Sequence, residues 1–203
     1  LMLTRQGIIK KLELSQISNA KKGGVMAMQF KASEKDYLVD VAIVDDKDDI
    51  FMATAEGAGL RTNLGKMRAQ GRAASGIIGM TLEGQDHMAG LAVVKGNKSY
   101  LLVISESGYG KRVKYDEFGS KGRGGKGMAF FKATEKTGKA VAIRTVTDNA
   151  EVIVTTLSGM VLRSEVKQIT VQGRTASGVK VVDISSGDKV ADMTVYNPEN
   201  DIK

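Results

Sequence analysis

Short apolar runs alternate with polar, glycine-bearing turns along the whole chain. Runs such as "YLLVIS" (100–105) and "VIVTT" (152–156) are rich in β-branched and aromatic residues, and each is followed by a polar turn and a second run. A helical period is not sustained over about 12 residues anywhere, although "NLGKMRAQ" (63–70) is compatible with one turn of helix. The pattern predicts an all-β protein.

The runs form groups of four, and the groups recur about every 50 residues. The third runs are "VMAMQF" (25–30), "IIGMTL" (77–82), "MAFF" (128–131) and "VKVVDI" (179–184). The fourth runs are "LVDVAIV" (38–44), "MAGLAVV" (88–94), "KAVAIRTV" (139–146) and "KVADMTV" (189–195). Four short strands per unit are typical of a propeller blade. We therefore predict blades at approximately 3–50, 51–100, 101–150 and 151–198, followed by a loose tail at 199–203.

Glycine marks the repeat most clearly, with 24 Gly against one Pro. A first column, Gly7, Gly57, Gly108 and Gly159, has separations of 50, 51 and 51 residues. A second column, Gly24, Gly76, Gly127 and Gly178, has separations of 52, 51 and 51. Three residues before each first-column glycine stands a hydroxyl: Thr4, Thr54, Ser105 and Thr156. Columns that repeat in phase indicate a tandem array, and a turn such as that at Gly108 is expected to need positive φ.

Composition narrows the class of protein. The 203 residues carry 30 Lys and Arg against 23 Asp and Glu, a net charge of +7 that favours an anionic partner. Cysteine is absent, which excludes disulfides and thiolate metal sites. Positive charge alone is compatible with nucleic acid or with an acidic membrane surface. No apolar run approaches the roughly 18 residues of a membrane span, which excludes membrane insertion, and no membrane partner is predicted. Because Leu1-Met-Leu-Thr is already typical of a strand, we expect the chain to be cut from a longer polypeptide.

Positive charge recurs in register with the glycines, in two sets that we call arcs. The first arc follows the first-column turn: Lys10, Lys11, Arg61, Lys111, Arg112 and Arg163. The second arc precedes the second-column glycine: Lys21, Lys22, Arg72, Lys121, Arg123, Lys126 and Arg174. Repeated units place equivalent residues at equivalent heights, so both arcs are predicted to form a stripe around one rim. Such a stripe suits the regular charge of a phosphate backbone, and these thirteen cations are the predicted DNA-binding residues.

Other chemistries have little support in the sequence. His87 is the single histidine and is expected to be an ordinary surface side chain, and no catalytic or metal-binding residue is predicted. The acidic pairs near residues 45–49 lack the ordered spacing of a calcium loop. "GRGGKG" (122–127) matches G-x-G-x-x-G but leads into a strand, whereas a dinucleotide fingerprint requires a following helix. Aromatic residues are 5% of the chain and Trp is absent, which favours duplex over single-stranded nucleic acid.

The sequence resembles the C-terminal DNA-wrapping domain of the A subunit of DNA gyrase, a bacterial type IIA topoisomerase. The resemblance covers nearly the whole chain and is carried by "ESGYGKR" (106–112), "SKGRGGKG" (120–127) and "VQGRTASGVKV" (171–181). It implies a six-bladed β-pinwheel whose blades exchange an outer strand with a neighbour, and the four units here are similar to the last four. The family's signature box, Gln-Arg-Arg-Gly-Gly-Lys-Gly, belongs to the first blade. Only a partial version occurs here, at 121–127, so we transfer general backbone contact and not the box's role in chiral wrapping.

The resemblance also implies a role within a larger enzyme. Duplex DNA would bend around the positive rim without sequence specificity and support negative supercoiling by the parent ATP-dependent DNA gyrase. The domain would be non-catalytic and hold no cofactor, since ATP and Mg²⁺ act elsewhere in the parent, and the cleaving tyrosine lies outside this chain. None of Tyr37, Tyr100, Tyr109, Tyr115 and Tyr196 is therefore assigned that role. Implied partners are duplex DNA, the rest of the gyrase A protein and the gyrase B protein, in the cytoplasm at the nucleoid.

Two alternatives remain open at the level of sequence. The C-terminal domain of the topoisomerase IV A protein shares the blade but has more degenerate repeats. A protein-binding propeller of the kelch or WD type belongs to another functional class, although the Trp-Asp signature and aromatic-rich blades of such proteins are missing here. Salt-dependent affinity for long duplex DNA separates both DNA-binding hypotheses from the protein-binding one.

Overall fold

The computed structural model of the protein describes residues 1–30, 35–96 and 98–197, and its regular structure is all β apart from three short 3₁₀ helices. In chain order the strands are β1 (Met2–Thr4), β2 (Ile8–Lys10), β3 (Leu38–Val41), β4 (Asp49–Thr54), β5 (Ala58–Asn63), β6 (Ile77–Ile78), β7 (Met88–Val93), β8 (Tyr100–Ser105), β9 (Tyr109–Lys114), β10 (Met128–Ala129), β11 (Ala140–Val146), β12 (Glu151–Thr156), β13 (Val161–Glu165), β14 (Val179–Lys180) and β15 (Val190–Tyr196). The 3₁₀ helices are Leu14–Gln16, Tyr115–Glu117 and Val166–Gln168.

The strands form four small antiparallel sheets in a propeller-like pinwheel, which confirms the predicted fold class. The strand orders are β3-β1-β2-β6, β10-β5-β4-β7, β11-β8-β9-β14 and, among the described residues, β13-β12-β15. In the first three sheets the outer strand beside the second strand of the unit comes from the following unit, as in the pairing of Val179 with Gly110. Each unit is therefore bound to the next by shared strands. The outer-strand exchange implied by the family resemblance is present.

The repeated hydroxyl and glycine columns build the turn between the first two strands of every unit. In each turn the glycine N–H donates to the backbone carbonyl of the hydroxyl-bearing residue, as Gly108 does to Ser105 at 3.0 Å. The hydroxyl oxygen accepts the N–H four residues later, at distances of 3.1–3.2 Å in the four units. All four first-column glycines have positive φ, between 78° and 95°, a region that side chains with a Cβ rarely occupy.

One sequence prediction about local structure needs correction. The run at 25–30 forms no strand. Its equivalents in later units pair with the second strand of the preceding unit, and the described chain contains no unit before the first with which this run could pair. The segment 63–70 makes a single turn, as its sequence allows, closed by the Met67 N–H on the Leu64 carbonyl at 2.9 Å. The tail predicted at 199–203 lies outside the described residues.

The core lies between neighbouring sheets, which places the inner strands around a common axis. An aromatic cluster fills one of these interfaces, with the Phe51 ring centroid 4.6 Å from that of Phe118 and 5.6 Å from that of Phe130. Near the axis, Arg144 Nη1 lies 3.1 Å from Asp40 Oδ2 and Arg144 Nη2 lies 3.6 Å from Asp192 Oδ1, so one guanidinium joins the first, third and fourth sheets. Within the described ranges, no helix is long and apolar enough to cross a membrane.

Candidate nucleic-acid interface

The first arc lies mostly inside the protein and not on an exposed rim. Lys10 and Lys111 are fully buried, and Lys11 and Arg112 are 9% and 6% exposed. Arg61 is half-buried, and only Arg163 is exposed. The prediction that these six cations form an accessible stripe is therefore wrong for at least the four buried residues.

Backbone carbonyls of the following unit explain why the first arc is in register. Lys11 donates to the Met67 carbonyl at 3.1 Å, Arg61 to the Phe118 carbonyl at 3.4 Å, and Arg112 to the Ile169 carbonyl at 2.6 Å. These acceptors are themselves 51 residues apart. The recurring cation thus joins one unit to the next, and we call this contact a bracket. Arg163 is exposed because the described chain contains no following unit for it to contact.

Acids and an aromatic ring complete the brackets. Lys11 Nζ lies 2.5 Å from Asp46 Oδ1, Arg61 Nε lies 2.7 Å from Asp49 Oδ2, and Arg112 pairs with Asp148. Arg112 also stacks over the Tyr100 ring at 4.8 Å, and Arg163 pairs with Glu151. The charges of the buried Lys11 and Arg112 are thus neutralised inside the protein, where a phosphate does not reach them.

The second arc has the opposite character. Six of its members (Lys21, Lys22, Arg72, Lys121, Arg123 and Lys126) are exposed, and Arg174 is half-buried. Lys126 Nζ pairs with Glu83 Oε1 at 2.5 Å, and this raises its pKa, but both partners are more than 65% exposed and such surface pairs are weak. The second arc therefore keeps its charge available to solvent.

Equivalent hydrogen bonds hold the arginines of the second arc at equivalent places. Arg123 Nη1 donates to the Ile78 carbonyl of β6 at 3.1 Å, and Arg174 Nη1 donates to the Ala129 carbonyl of β10 at 3.4 Å. Because β6 and β10 are the outer strands of successive sheets, the two side chains follow the outer rim from one sheet to the next. The register predicted from the sequence is present in these two arginines.

Sequence reasoning missed two cations beside the second arc. Lys66 and Arg68 are exposed in the loop after β5. Lys66 lines a cleft of about 620 Å³ together with Lys121 and Arg123. Neither Lys66 nor Arg68 belongs to a repeated column, which is why the period of the repeat does not reveal them. The local density of charge in "KMRAQGR" (66–72) is the signal that points to them.

Comparison with known proteins identifies the family that has this arrangement of sheets. A family model described as the DNA gyrase C-terminal domain, a β-propeller, matches residues 1–45, 48–95, 99–147 and 150–197. The chain belongs to the DNA gyrase C-terminal domain family. The DNA gyrase A protein of Deinococcus deserti is 37% identical over 98% of this chain, and that of Staphylococcus epidermidis is 36% identical over 98%. The chain spans 25% and 22% of the lengths of these two relatives.

Solved structures agree with membership of the gyrase C-terminal domain family. A structure of the DNA gyrase A C-terminal domain superposes with a TM-score of 0.86 at 26% identity, over 97% of this chain and 64% of that one. The C-terminal domain of DNA topoisomerase IV superposes with a TM-score of 0.89 at 21% identity, over 98% of this chain and 62% of that one, a likeness that shows the fold alone. Family membership sets aside the kelch or WD alternative and favours gyrase over topoisomerase IV.

Proposed function

We propose that this domain binds duplex DNA without sequence specificity along the second arc and bends the duplex around its outer rim. The observation that supports this most directly is the outward, solvent-accessible placement of the second-arc cations, with Arg123 and Arg174 held on successive outer strands. Contact with phosphates needs cations at regular height and no reading of base edges. The first arc contributes indirectly, because it brackets the units on which the second arc is mounted.

In this proposal the domain binds DNA as one part of a DNA gyrase, and the catalytic groups of that enzyme lie outside this chain. Bending a 20–30 base-pair site costs on the order of 1–6 kcal/mol, so several phosphate contacts must offset it. The seven second-arc cations are the candidates for these contacts, with Lys66 and Arg68 beside them. In this proposal the domain supplies a curved surface for DNA, the rest of the gyrase A protein and the gyrase B protein supply strand passage, and the curvature supports negative supercoiling.

Removing the three repeated arginines is expected to weaken DNA binding and to flatten its salt dependence. In the triple variant Arg72→Gln, Arg123→Gln, Arg174→Gln, the slope of log K against log salt should become less steep by about 3, because each phosphate contact contributes about 0.9. The wild-type slope should approach about −6 if all seven second-arc cations engage. The measurement is a fluorescence-anisotropy titration of a long duplex at several salt concentrations, repeated with an unrelated sequence.

The matched control for the triple arginine variant removes the same charge outside both arcs. Lys47, Lys98 and Lys136 are exposed, and their replacement by Gln lowers the net charge equally. The control should keep the wild-type slope within about one unit. Equal flattening in both triple variants would show that net charge, and not the second arc, drives binding.

A linking-number assay separates wrapping from simple binding. Nicked circular DNA is ligated in the presence of increasing amounts of the domain, deproteinised and resolved by gel electrophoresis. If the duplex follows the curved rim, the topoisomer distribution should shift with protein concentration, and the direction of the shift reports the handedness of the wrap. A wild-type domain that binds DNA but leaves the distribution unchanged would contradict bending around the rim.

A further inference from the structure

Two fully buried lysines of the first arc make no contact with solvent and lie under loops of the following unit. Lys10 Nζ donates to the carbonyls of Ala27, Arg72 and Ala74 at 2.7, 2.7 and 2.9 Å. Lys111 Nζ donates to the carbonyls of Gly173 and Arg174, both at 2.7 Å. Each ammonium therefore touches the backbone of a second-arc arginine, Arg72 in one case and Arg174 in the other.

The position of these lysines alternates along the repeat. Lys10 and Lys111 occupy the same place in the second strand of the first and third units, and leucine occupies it in the second and fourth units, as Leu60 and Leu162. The residue type also alternates at a second position, which lies on the loop that covers the strand. Gln70 and Gln172 lie on the loops above the two lysines, whereas Lys121 holds the equivalent place on the loop above Leu60. The N–H of each of these three loop residues donates to the carbonyl of the first-arc cation beneath it, at 2.8–2.9 Å.

We call the contact between one unit and the loop of the next unit a junction. Each of the three junctions has one lysine at this pair of positions, either on the strand or on the loop that covers it. In the first and third junctions the lysine lies inside and binds loop carbonyls, and in the middle junction it lies on the outside of the loop. The middle loop is rich in glycine and leaves a cavity of about 150 Å³ bordered by Leu60, Gly125 and Gly127. It is held from its far side, where the Gly124 N–H donates to the Gly79 carbonyl at 2.6 Å and Thr81 Oγ1 donates to the Gly124 carbonyl at 2.7 Å.

We propose that Lys10 and Lys111 are positioning residues that clamp the loops carrying Arg72 and Arg174 from inside, while the middle junction has no buried ammonium and presents Lys121 to the ligand instead. Two loops with an inner clamp then flank one loop that is held from its far side. The part of this inference that concerns DNA affinity rests on the proposed function; the clamp itself does not.

The chemistry of a buried ammonium suits this role. An unpaired buried charge is costly, so it remains inside only where dipoles surround it, and two or three carbonyls do so here. Burial lowers the pKa of Lys111 to about 8, with Glu117 acting in the opposite direction, and the side chain is mostly protonated at neutral pH. Glu117 Oε2 also accepts the Arg174 N–H at 2.9 Å, so the same loop is held from two sides.

Hydrogen exchange in paired variants tests the clamp without DNA. In the wild-type chain the loop 122–127 should exchange its amide protons faster than 71–76 and 173–178, after correction for intrinsic rates. Lys111→Leu should speed exchange in 173–178 by about tenfold to a hundredfold, since two charge-assisted hydrogen bonds are lost. Lys10→Leu should do the same in 71–76. In the reverse exchange, Leu60→Lys with Lys121→Gln should slow 122–127.

Amides of β8 report global unfolding and keep the outcomes distinct. Faster exchange in the loop at unchanged rates in β8 supports the clamp. Unchanged loop exchange in both lysine variants, or no slowing in the reverse variant, would overturn it. If Lys111→Leu destabilises the whole chain and β8 exchanges faster as well, Lys10→Leu and the reverse variant decide. The reverse variant replaces Leu60, a buried residue of the core, so its loop exchange rates are compared with those of its own β8 amides.

DNA titration of the same variants then links the clamp to the second arc. Lys111→Leu should flatten the salt slope by about one unit, through loss of the fixed position of Arg174. If the wild-type chain shows no affinity for duplex DNA, the proposed function fails, and the exchange measurements still decide the clamp. If wild-type binds and Lys111→Leu exchanges faster with an unaltered slope, the positioning role is overturned.

Discussion

Replacing Arg112 with alanine is expected to lower the free energy of unfolding by about 3 kcal/mol, because a buried, fully committed guanidinium is removed. Its Nε and Nη2 donate to the carbonyls of Ile169 and Lys167, Nη1 pairs with Asp148, and the group lies over the Tyr100 ring. Alanine leaves these acceptors without their donor in a site that is 6% exposed in the native protein. Urea unfolding followed by far-UV circular dichroism measures the loss.

Arg163 provides the matched control for Arg112 because it occupies the same place in the fourth unit. Its side chain is 62% exposed and pairs with Glu151, so Arg163→Ala should cost no more than about 1 kcal/mol. A stable Arg112→Ala protein with reduced DNA affinity would instead make Arg112 a direct DNA contact, and the bracket role would be wrong. Equal losses of stability in the two variants would also contradict the difference in burial.

Replacing Gly108 with alanine is expected to cost about 3 kcal/mol or more, through strain and a direct clash. Gly108 has φ of 78°, and a Cβ built there lies 2.4 Å from the Val182 carbonyl oxygen. The Gly108 carbonyl also accepts the N–H groups of Val181 and Val182 at 2.9 and 3.2 Å. Relief of the clash must therefore pull the fourth unit away from the third. Thermal and urea unfolding of Gly108→Ala measure the effect.

Gly159 separates strain from clash. It has φ of 89°, yet a Cβ built there meets nothing within 4 Å. Gly159→Ala should therefore cost only the strain of positive φ, about 1–2 kcal/mol. A similar cost for both alanine variants would show that the approach of the fourth unit to Gly108 contributes little to stability.

The fold could be predicted from the sequence to an unusual degree because the chain repeats its own turn chemistry. The hydroxyl and glycine columns each satisfy a local requirement, a side-chain acceptor for one N–H and a positive φ. A local requirement of this kind fixes a residue type at a fixed spacing, and the pattern is recognisable because it occurs four times in phase. The β class and the need for positive φ at Gly108 follow from residues close together in sequence, and the period follows from comparing the four copies.

The candidate site was harder to predict, because a column of cations looks the same whether it faces a ligand or a carbonyl. Lys11, Arg61 and Arg112 recur for a structural reason, and their acceptors lie more than 50 residues away in sequence. No feature of "GKR" (110–112) distinguishes that use from DNA contact. The exposure of Arg123 likewise depends on its contact with Ile78, on the outer strand of another sheet. Whether a cation is buried or exposed is therefore decided by how the units pair, and the sequence of one unit does not reveal it.

One consequence of the shared outer strands concerns how such a domain changes in evolution. Since a sheet is completed by residues from two successive copies, as when Ile77–Ile78 completes the sheet of β1 and β2, a duplication or deletion need not respect the boundaries of any sheet. Gain or loss of one whole period, starting at any point, leaves each internal sheet with four strands. Recombination between copies can therefore lengthen or shorten the curved surface without breaking the architecture.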